Sequence, residues 1–288
     1  NVRVYPTNSL SKLFYVPNAI NLGALIIKES SLLSDLCVIT AQDPFETGFV
    51  ARQLAQKFFL PLHIQAHTDF LNPYFSGQGG LNMIRVALAK KTLRAADAVR
   101  VVSERIRESI EGDESFGVDP SLISVLPIFA DLRSIREASV PVGFTQRYLG
   151  SDKIALMASR FTKEKDIETA IEAFARVVLA YPKALLVIIG AGPLEADLHE
   201  KVAKLRIEEN VMIESWADKE TLISYMKTAE VFLSSSLYEG YGLSMLEAHA
   251  AGAQIVSTDA GIVRDLTDAV CPPKSPDCLA SKIMAVFS

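Results

Sequence analysis

The stretch VFLSSSLYEGYGLSMLEAHAAGAQIVSTD, residues 231–259, decides how this chain folds. Its apolar start predicts a strand over Val231–Ser234, and the polar, glycine-rich segment after it predicts a turn. The following residues predict a helix that ends at Gly252 and then a second strand over Gln254–Ser257. A strand, a turn, a helix and another strand in this order are typical of a parallel sheet covered by helices.

The turn in this stretch has the features of an anion site. Gly240 and Gly242 let the backbone approach a bound group, and the amides of the first helical turn, Gly242–Ser244, lack partners within the helix. Glu239 and Glu247 would repel a phosphate, so we expect them to accept hydrogen bonds from hydroxyls on either side of it. A sugar, a diphosphate and a ribose fit that description. An ordinary strand-to-helix turn with two solvated glutamates fits the spacing equally well.

Length and composition restrict the class of protein. The chain has 288 residues, enough for two domains, and 49% of them are apolar, with no run long enough to span a membrane. This predicts a soluble globular α/β protein. The formal charge of −5 argues against a protein that coats nucleic acid. Cys37, Cys271 and Cys278 are an odd, scattered set, which predicts reduced thiols in a cytoplasm rather than a disulfide framework.

The rest of the chain repeats the alternation of strand and helix, which predicts two α/β domains. A segment rich in proline and glycine, residues 127–150, predicts a linker between domains at 1–140 and 141–288. Predicted strands lie at residues 2–5, 36–40, 62–65, 98–102, 123–126, 154–158, 185–189 and 211–213. Predicted helices lie at 18–29, 48–58, 81–95, 104–111, 167–181, 194–205, 220–227, near Val263 and from Pro276. Ligands of such sheets bind at the carboxyl ends of the strands.

Two cations follow the strand predicted at 154–158. Arg160 comes directly after it, and Lys165 lies at the mouth of the next helix, where both could reach a bound phosphate. Their neighbours Lys163, Glu164 and Asp166 are also consistent with a solvated charge cluster. The sequence alone leaves both interpretations open.

A second glycine turn, Ile189–Pro193, resembles the start of a dinucleotide-binding fingerprint. Because Glu195 occupies the position of the third glycine, the fingerprint is incomplete and a dehydrogenase is excluded. Gly190 and Gly192 predict a tight strand-to-helix turn, either beside a ligand or with a purely geometric role.

His67 is predicted just beyond the strand at 62–65, where it could hydrogen-bond a sugar hydroxyl or simply pack. His63 lies four residues earlier, roughly 13 Å away in an extended strand, which is too far for one metal ion. The chain has no Asp-x-Asp pair that could hold a metal–diphosphate, so we expect metal-independent chemistry.

Basic residues crowd the region Arg85–Glu108. They could form a face that contacts anionic lipid, or a solvated face spread over two helices and a strand. The residues are Arg85, Lys90, Lys91, Arg94, Arg100, Arg105 and Arg107.

Taken together, these motifs resemble those of the family 4 (group 1) retaining glycosyltransferases, which have the GT-B fold. The segment EGYGLSMLE, Glu239–Glu247, is similar to the family's E-x7-E motif. Ser159-Arg160-Phe161 with Glu164-Lys165 resembles its Arg and Lys pair, and residues 188–193 resemble its glycine turn by the nucleotide. Residues 41–48 and His67 with Asp69 resemble its first-domain cleft.

The resemblance implies a fold, a reaction and a role for each site residue. It implies two Rossmann-like, doubly wound domains facing across a cleft, an acceptor-side domain followed by a nucleotide-sugar domain. Arg160 and Lys165 would stabilise the leaving nucleotide diphosphate, Glu239 would hold donor-sugar hydroxyls, Glu247 would bind the ribose, and His67 would contact the sugar near the reacting carbon. The implied donor-binding residues are Gly192, Gly240, Tyr241, Gly242, Leu243, Ser244 and Glu247, with the Gly242 and Leu243 amides on the diphosphate.

The implied reaction moves a hexose-type sugar from a UDP- or GDP-sugar to a glycan, lipid-linked or small-molecule acceptor, with retention and without metal or cofactor. The implied setting is cytoplasmic, with peripheral contact at the inner membrane face. Asp166 stands where the family usually has Gly, and the chain is expected to lack the family's opening strand, glycine-rich acceptor loop and crossover helix. A non-catalytic nucleotide-binding scaffold and a GT-B sugar-nucleotide epimerase remain alternatives.

Overall fold

The computed structural model describes residues 15–29, 37–144 and 150–288 and divides into two units, Asn1–Pro127 and Ile128–Ser288. The strand predicted at 2–5 lies outside the described residues. The division comes earlier than the predicted boundary at 140 because a short helix, Leu132–Glu137, packs on the second unit and buries Ile135 there.

The first unit contains one parallel sheet flanked by helices. Its strands run in the order β1-β2-β3-β4, each paired in parallel with the next. Four phenylalanines, at 45, 70, 75 and 116, pack in contact beside the sheet, which fixes the loops that follow β1 and β2. The strands are β1 Ile39–Ala41, β2 Leu62–Ala66, β3 Ala98–Val101 and β4 Ile123–Val125. The helices are α1 Tyr15–Glu29, α2 Glu46–Phe58, α3 Pro73–Gly77, α4 Gly80–Leu93 and α5 Glu104–Gly112.

The second unit contains a six-stranded parallel sheet in the order β10-β9-β8-β5-β6-β7. Read from the other edge, the strands follow the Rossmann order, and the direction of winding reverses between β5 and β8. The strands are β5 Lys153–Ala158, β6 Ala184–Ile189, β7 Val211–Glu214, β8 Val231–Ser234, β9 Gln254–Thr258 and β10 Val270–Cys271. The helices are α6 Leu132–Glu137, α7 Ile167–Ala180, α8 Glu195–Leu205, α9 Lys219–Thr228, α10 Leu243–Ala251, α11 Val263–Leu266 and α12 Pro276–Phe287.

The apolar run ALLVII of β6 shows why this sheet is buried on both faces. Leu186 and Ile188 belong to a core with α7, α8 and α12, whereas Leu185, Val187 and Ile189 belong to a second core with α9 and α10. Alternate residues of a strand point to opposite faces, so a strand covered on both sides has no polar positions. The doubly wound arrangement predicted for this half of the chain is therefore confirmed.

The prediction of three reduced cysteines is wrong. Cys271 and Cys278 form a disulfide, with their Cα atoms 5.8 Å apart, and Cys37 takes no part in a disulfide among the described residues. The prediction failed because it treated the three residues as scattered, whereas the fold places the end of β10 against the first turn of α12.

Three short elements were not predicted from the sequence: α3, α6 and β10. The described residues include no helix with the length and apolar character needed to span a bilayer.

Candidate functional site

The predicted site residues of the second unit gather where its winding reverses. The β5–α7 loop carries Arg160 and Lys165, and the β8–α10 loop carries Glu239 and Gly242. Because β5 and β8 are neighbours in the sheet, these two loops lie side by side at the carboxyl edge of the strands. Open parallel sheets bind their ligands at such a switch point.

Lys165 and Glu239 form the central ion pair of the site. The Lys165 Nζ contacts the Glu239 Oε1, and the two side chains are only 14% and 18% exposed. The Ser236 hydroxyl donates to the same carboxylate oxygen at 2.8 Å, and the Ser236 carbonyl accepts from the Thr258 hydroxyl at 2.6 Å. The pair is therefore held by β9 as well as by its own loops.

Backbone contacts fix the two loops to each other. The Leu237 amide donates to the Glu164 carbonyl at 2.8 Å, and the Ser235 hydroxyl donates to the Lys165 carbonyl at 2.9 Å. The ends of the loops cannot separate without losing these bonds. The spacing between Lys165 and Glu239 is thus set by the fold rather than by their mutual attraction.

Arg160 is the more exposed cation of the site, at 66% side-chain exposure. Its Nη2 donates to the Glu164 Oε1 at 3.2 Å, and the Thr162 hydroxyl donates to that same oxygen at 2.7 Å. Glu164 is therefore not part of a solvated charge cluster, because its side chain is only 18% exposed.

Asp166, at the position where the resemblance leads us to expect glycine, adopts the left-handed conformation with φ 45° and ψ 45°. Asp tolerates this region better than most residues, and its carboxylate accepts a hydrogen bond from the Thr169 hydroxyl at 2.8 Å. Burial raises the pKa of Asp166, and the Thr169 hydrogen bond opposes that shift. The turn that a glycine would form is thus retained by an aspartate.

Helix α10 begins at Leu243, with Gly242 as its cap at φ 93°. The Gly242 carbonyl accepts from the Met245 amide at 3.0 Å and the Leu246 amide at 3.2 Å, whereas the amides of Leu243 and Ser244 precede the first intrahelical bond. A Cβ on Gly242 would lie 2.3 Å from the Met245 methyl group in addition to the strained φ. This helix start is the predicted anion site, and it is covered by no side-chain cap.

The loop that follows β9 supports the backbone of Tyr241. The Ile262 amide donates to the Tyr241 carbonyl at 2.9 Å, and a Cβ on Gly261 would lie 2.4 Å from that carbonyl oxygen. Burial, with a contribution from Asp265, raises the pKa of the Tyr241 phenol. Gly240 is buried between Glu239 and Tyr241, so this part of the turn is closely packed.

Glu247 is half-buried on α10 and, among the described residues, forms no hydrogen bond or ion pair. Burial raises the pKa of its carboxyl group, and the charge of Lys219 opposes the shift. A carboxylate that is partly desolvated without a partner costs free energy, and such groups are concentrated at functional sites.

The Gly190–Pro193 turn packs against the start of the β5–α7 loop. The Phe161 amide donates to the Ala191 carbonyl at 2.9 Å, and a Cβ on Gly192 would lie 2.5 Å from the Phe161 carbonyl oxygen. Gly192 therefore has a structural reason to be glycine, and its contact with a ligand stays a prediction.

In the first unit, His67 follows β2 and its Nε2 is buried without a hydrogen-bond partner. Burial lowers the pKa of the ring and the charge of Arg100 lowers it further, whereas Asp43 raises it. Asp69 is 4% exposed, its Oδ1 has no partner, and burial raises its pKa. Hydrogen bonds with Asn72 and Ser109 oppose the shift of the Asp69 pKa, whereas the His67 Nε2 and the Asp69 Oδ1 themselves have no hydrogen-bond partner among the described residues.

Two contributors to the site escaped the sequence analysis: Ser236 and the carboxylate of Glu164. The run Ser234–Ser236 at the end of β8 was a usable signal, because three consecutive polar residues at a buried strand end must find partners. Across the described residues, no three His, Cys, Asp or Glu side chains are grouped as a metal site would require.

Comparison with known proteins places this site in a family. Residues 146–288 match the family described as glycosyl transferases, group 1. An alpha-monoglucosyldiacylglycerol synthase of Streptococcus pneumoniae is 26% identical over 234 residues, 77% of this chain and 52% of that protein. A GDP-mannose-dependent alpha-(1-6)-phosphatidylinositol dimannoside mannosyltransferase of Mycobacterium tuberculosis is 26% identical over 167 residues, 57% of this chain and 43% of that protein. The chain thus spans about half the length of the curated relatives it matches.

Solved structures extend the likeness to both units. Sucrose-phosphate synthase from Thermosynechococcus elongatus aligns with a TM-score of 0.80 and 22% identity, over 96% of this chain and 70% of that one. Anabaena HepE in complex with UDP-glucose aligns with a TM-score of 0.77 and 18% identity, over 99% of this chain and 76% of that one. These likenesses confirm the predicted GT-B fold. The family match itself lies in the unit that carries Lys165, Glu239 and Glu247, so residues 146–288 belong to the group 1 glycosyl transferases.

Proposed function

We propose that this chain is a retaining glycosyltransferase that moves a hexose-type sugar from a nucleotide-diphosphate donor without a metal ion. The observation that carries the proposal is the Lys165–Glu239 pair, fixed between two loops at the switch point beside the open start of α10. That arrangement presents a cation, free amides and a hydroxyl-binding carboxylate to one ligand. A sugar diphosphate needs all three.

The second unit would bind the donor through residues that each meet one chemical group. Lys165, Arg160 and the amides of Gly242 and Leu243 would contact the diphosphate, and the unpaired Glu247 would accept hydrogen bonds from the ribose hydroxyls. Ser244 and Tyr241 would lie along the same turn. A cation and helix amides in fixed positions stabilise negative charge without having to reorganise as it develops.

The chemical step breaks the bond between the anomeric carbon and a diphosphate oxygen, which keeps the electron pair. An acceptor hydroxyl oxygen bonds to the same carbon, and its proton passes to the departing diphosphate, where negative charge develops. Lys165 and Arg160 would stabilise this developing charge, and Glu239 would orient the sugar through its hydroxyls. Removing one such preorganised donor from an enzyme typically lowers the rate about 10²–10³-fold. Retention of configuration and metal independence belong to the proposal and rest on the family motifs.

We propose a glycan or lipid-linked acceptor. The names of two relatives given above, an alpha-monoglucosyldiacylglycerol synthase and a phosphatidylinositol dimannoside mannosyltransferase, support a lipid-linked class. The proposed partners are therefore the nucleotide-sugar donor and this acceptor, without nucleic acid.

We also propose that the protein contacts a membrane peripherally, through the exposed face of α4. Leu81, Met83 and Ile84 are 58%, 62% and 58% exposed in its first turns, and the helix contains no acidic residue. Lys91 is exposed further along the same helix. Exposed apolar residues on a helix that also carries an exposed lysine fit an anionic bilayer surface.

The other basic residues of this region do not add to such a face. Arg85 pairs with Glu46 at 3.0 Å, and Arg107 pairs with Glu111 at 2.9 Å. Arg94 donates to the carbonyls of Ser115 and Phe116, both at 2.7 Å. Flotation with phosphatidylglycerol vesicles tests the surface: Ile84→Ser should weaken binding, whereas Leu179→Ser, at a position 84% exposed on α7, should not.

A cytoplasmic location at the inner face of a membrane is proposed with the lipid-linked acceptor. The Cys271–Cys278 disulfide argues the other way, because disulfides are rare in reducing compartments. Thiol labelling in intact cells decides between them. Rapid labelling of both cysteines fits the cytoplasm, and protection of both contradicts it.

The experiment that tests the function is a panel of UDP-, GDP- and ADP-sugars, titrated by calorimetry and incubated with and without EDTA. We expect one nucleotide class to bind, and its nucleoside diphosphate to be released at the same rate in EDTA. Absence of binding across the panel contradicts the proposal. Conversion of the donor to an epimer without acceptor identifies an epimerase instead.

A further inference from the structure

The contacts of Arg160 raise a question that the proposed donor site does not answer. A cation meant for a diphosphate is paired with a carboxylate, Glu164, whose own charge opposes the binding of phosphate. A surface ion pair of this kind contributes little to stability. Stability and phosphate attraction therefore do not explain why Glu164 lies there.

The geometry of Glu164 differs from that of an ordinary helical surface pair. The residue lies in the 3-10 turn Lys163–Lys165, and its carbonyl is fixed by the Leu237 amide at 2.8 Å. Its Oε1 accepts from the Thr162 hydroxyl at 2.7 Å and from the Arg160 Nη2 at 3.2 Å. Backbone and side chain are thus both held, and the carboxylate is a fixed point on the loop.

Arg160 needs such a fixed point. Its side chain is 66% exposed, and a free arginine loses rotamer entropy when it is ordered. The bond to Glu164 uses Nη2, and within the described part of the chain the structure gives the Nε and Nη1 no protein partner. The guanidinium is oriented while two of its nitrogens stay available.

We infer that Glu164 is a positioning residue, which holds the Arg160 guanidinium in the orientation that stabilises the departing diphosphate. The inference rests on the proposed function. It assigns Glu164 no contact with the donor. Because Arg160 would meet the diphosphate both before and during bond breaking, the effect of Glu164 should be seen mainly in the rate of bond breaking and to a smaller extent in the affinity for the nucleotide.

A double-mutant cycle of Glu164 and Arg160 tests this role. The rate is measured as release of nucleoside diphosphate from the sugar nucleotide that binds in the donor panel. The affinity is measured by titration with UDP or GDP. We expect Glu164→Ala to lower the release rate about 3–10-fold and Glu164→Gln, which keeps the hydrogen-bond acceptor, to lower it less. The affinity for UDP or GDP should fall by less than the release rate does, because Arg160 meets the diphosphate of the free nucleotide as well. In an Arg160→Ala background, Glu164→Ala should have almost no further effect.

The matched control is Lys163→Ala, an exposed neighbour in the same turn that takes no part in the proposed site. An equal loss in both backgrounds means that Glu164 only supports the loop and overturns the inference. A faster rate for Glu164→Ala means that charge repulsion dominates and also overturns it. If the wild-type chain binds no donor, the proposed function itself fails, and the inference fails with it.

Discussion

The strand-end clusters of the two units differ in how their polar groups are satisfied. In the second unit, Lys165 and Glu239 are paired, and three hydrogen bonds tie their loops to each other and to β9. In the first unit, the His67 Nε2 and the Asp69 Oδ1 are buried without partners. Buried polar atoms are normally satisfied, so an orphaned pair needs a reason.

The difference shows which of the two clusters has its polar groups satisfied within its own unit. The cluster of the second unit, the proposed donor site, has its charged groups, helix amides and supporting hydrogen bonds in place without a ligand. In the cluster of the first unit, the His67 Nε2 and the Asp69 Oδ1 form no hydrogen bond with any described residue. We therefore expect nucleotide affinity to depend on the second unit, and reactivity to depend on both.

The largest effect should come from Lys165→Ala. Because the fold fixes this cation beside Glu239 and the open start of α10, its loss should lower the rate of nucleoside diphosphate release about 10²–10³-fold. Lys163→Ala, two residues away and exposed, should leave the rate unchanged. Equal effects of the two substitutions would mean that general charge, and not the fixed pair, matters.

His67→Ala separates the two clusters. We expect the release rate to fall roughly tenfold to a hundredfold, because a hydrogen-bonding group near the sugar is lost. The calorimetric Kd for UDP or GDP should not change, since the nucleotide groups are assigned to the second unit. A large loss of nucleotide affinity would contradict that division.

The half-buried carboxyl group of Glu247 should make the affinity for a sugar nucleotide depend on pH. Burial raises its pKa above 4.5, so on acidification the carboxylate becomes protonated earlier than an ordinary glutamate and stops accepting from ribose hydroxyls. Calorimetry with a sugar nucleotide should show that the affinity falls as the pH is lowered, with a midpoint above pH 4.5. Glu247→Gln should remove this pH dependence and lower the affinity at neutral pH about tenfold.

The raised pKa of Glu247 affects folding stability in the opposite direction to binding. A carboxyl group with a raised folded-state pKa stabilises the fold below pH 4.5, and that contribution is lost as the pH rises through the folded-state value. Glu247→Gln should therefore raise the melting temperature at neutral pH while weakening binding. A lower melting temperature would indicate a structural role for the carboxylate.

Reduction of the Cys271–Cys278 disulfide should affect stability and leave binding unchanged. The bond closes a short loop, with a sequence separation of 7, so its loss should cost about 2 kcal/mol, or roughly 4–8 °C in melting temperature. Scanning calorimetry with and without a phosphine reductant measures this. A change in nucleotide affinity would show that β10 and β9 transmit the effect to the Thr258–Ser236 contact.

The sequence predicted the parts of this molecule that depend on local pattern. The strand Val231–Ser234 was predicted with the bounds that the structure shows, and the helix stop at Gly252 is its cap. These features have long apolar runs or strong turn residues on both sides. The motifs around Glu239 and Lys165 fall at the strand ends for the same reason.

The missed features depend on contacts between distant segments. Helix α6 lies in a proline- and glycine-rich segment, and its single turn and a half, with one buried residue at Ile135, offers no periodicity. The bond between Cys271 and Cys278 requires knowing that β10 meets α12. The Glu164 carboxylate was indistinguishable from its solvated neighbours because only the Arg160 and Thr162 contacts set it apart.

The smallest expected effect is that of Asp166→Gly. Glycine would relieve the left-handed strain, of order 1 kcal/mol, but would lose the Thr169 hydrogen bond, which is worth a similar amount. Stability in urea should change by less than about 1 kcal/mol, and the release rate should stay the same. A large loss of rate would show that the Asp166 carboxylate contributes to the site.

The most direct test of the central claim is to follow the backbone amides of Leu243 and Ser244 by NMR during titration with UDP-glucose and GDP-mannose. We expect one of the two donors to shift these amides strongly and saturably, and Glu247→Gln to weaken the same titration. If a donor binds while the Leu243 and Ser244 signals stay in place, the start of α10 is not the diphosphate site, and the proposed donor site is contradicted.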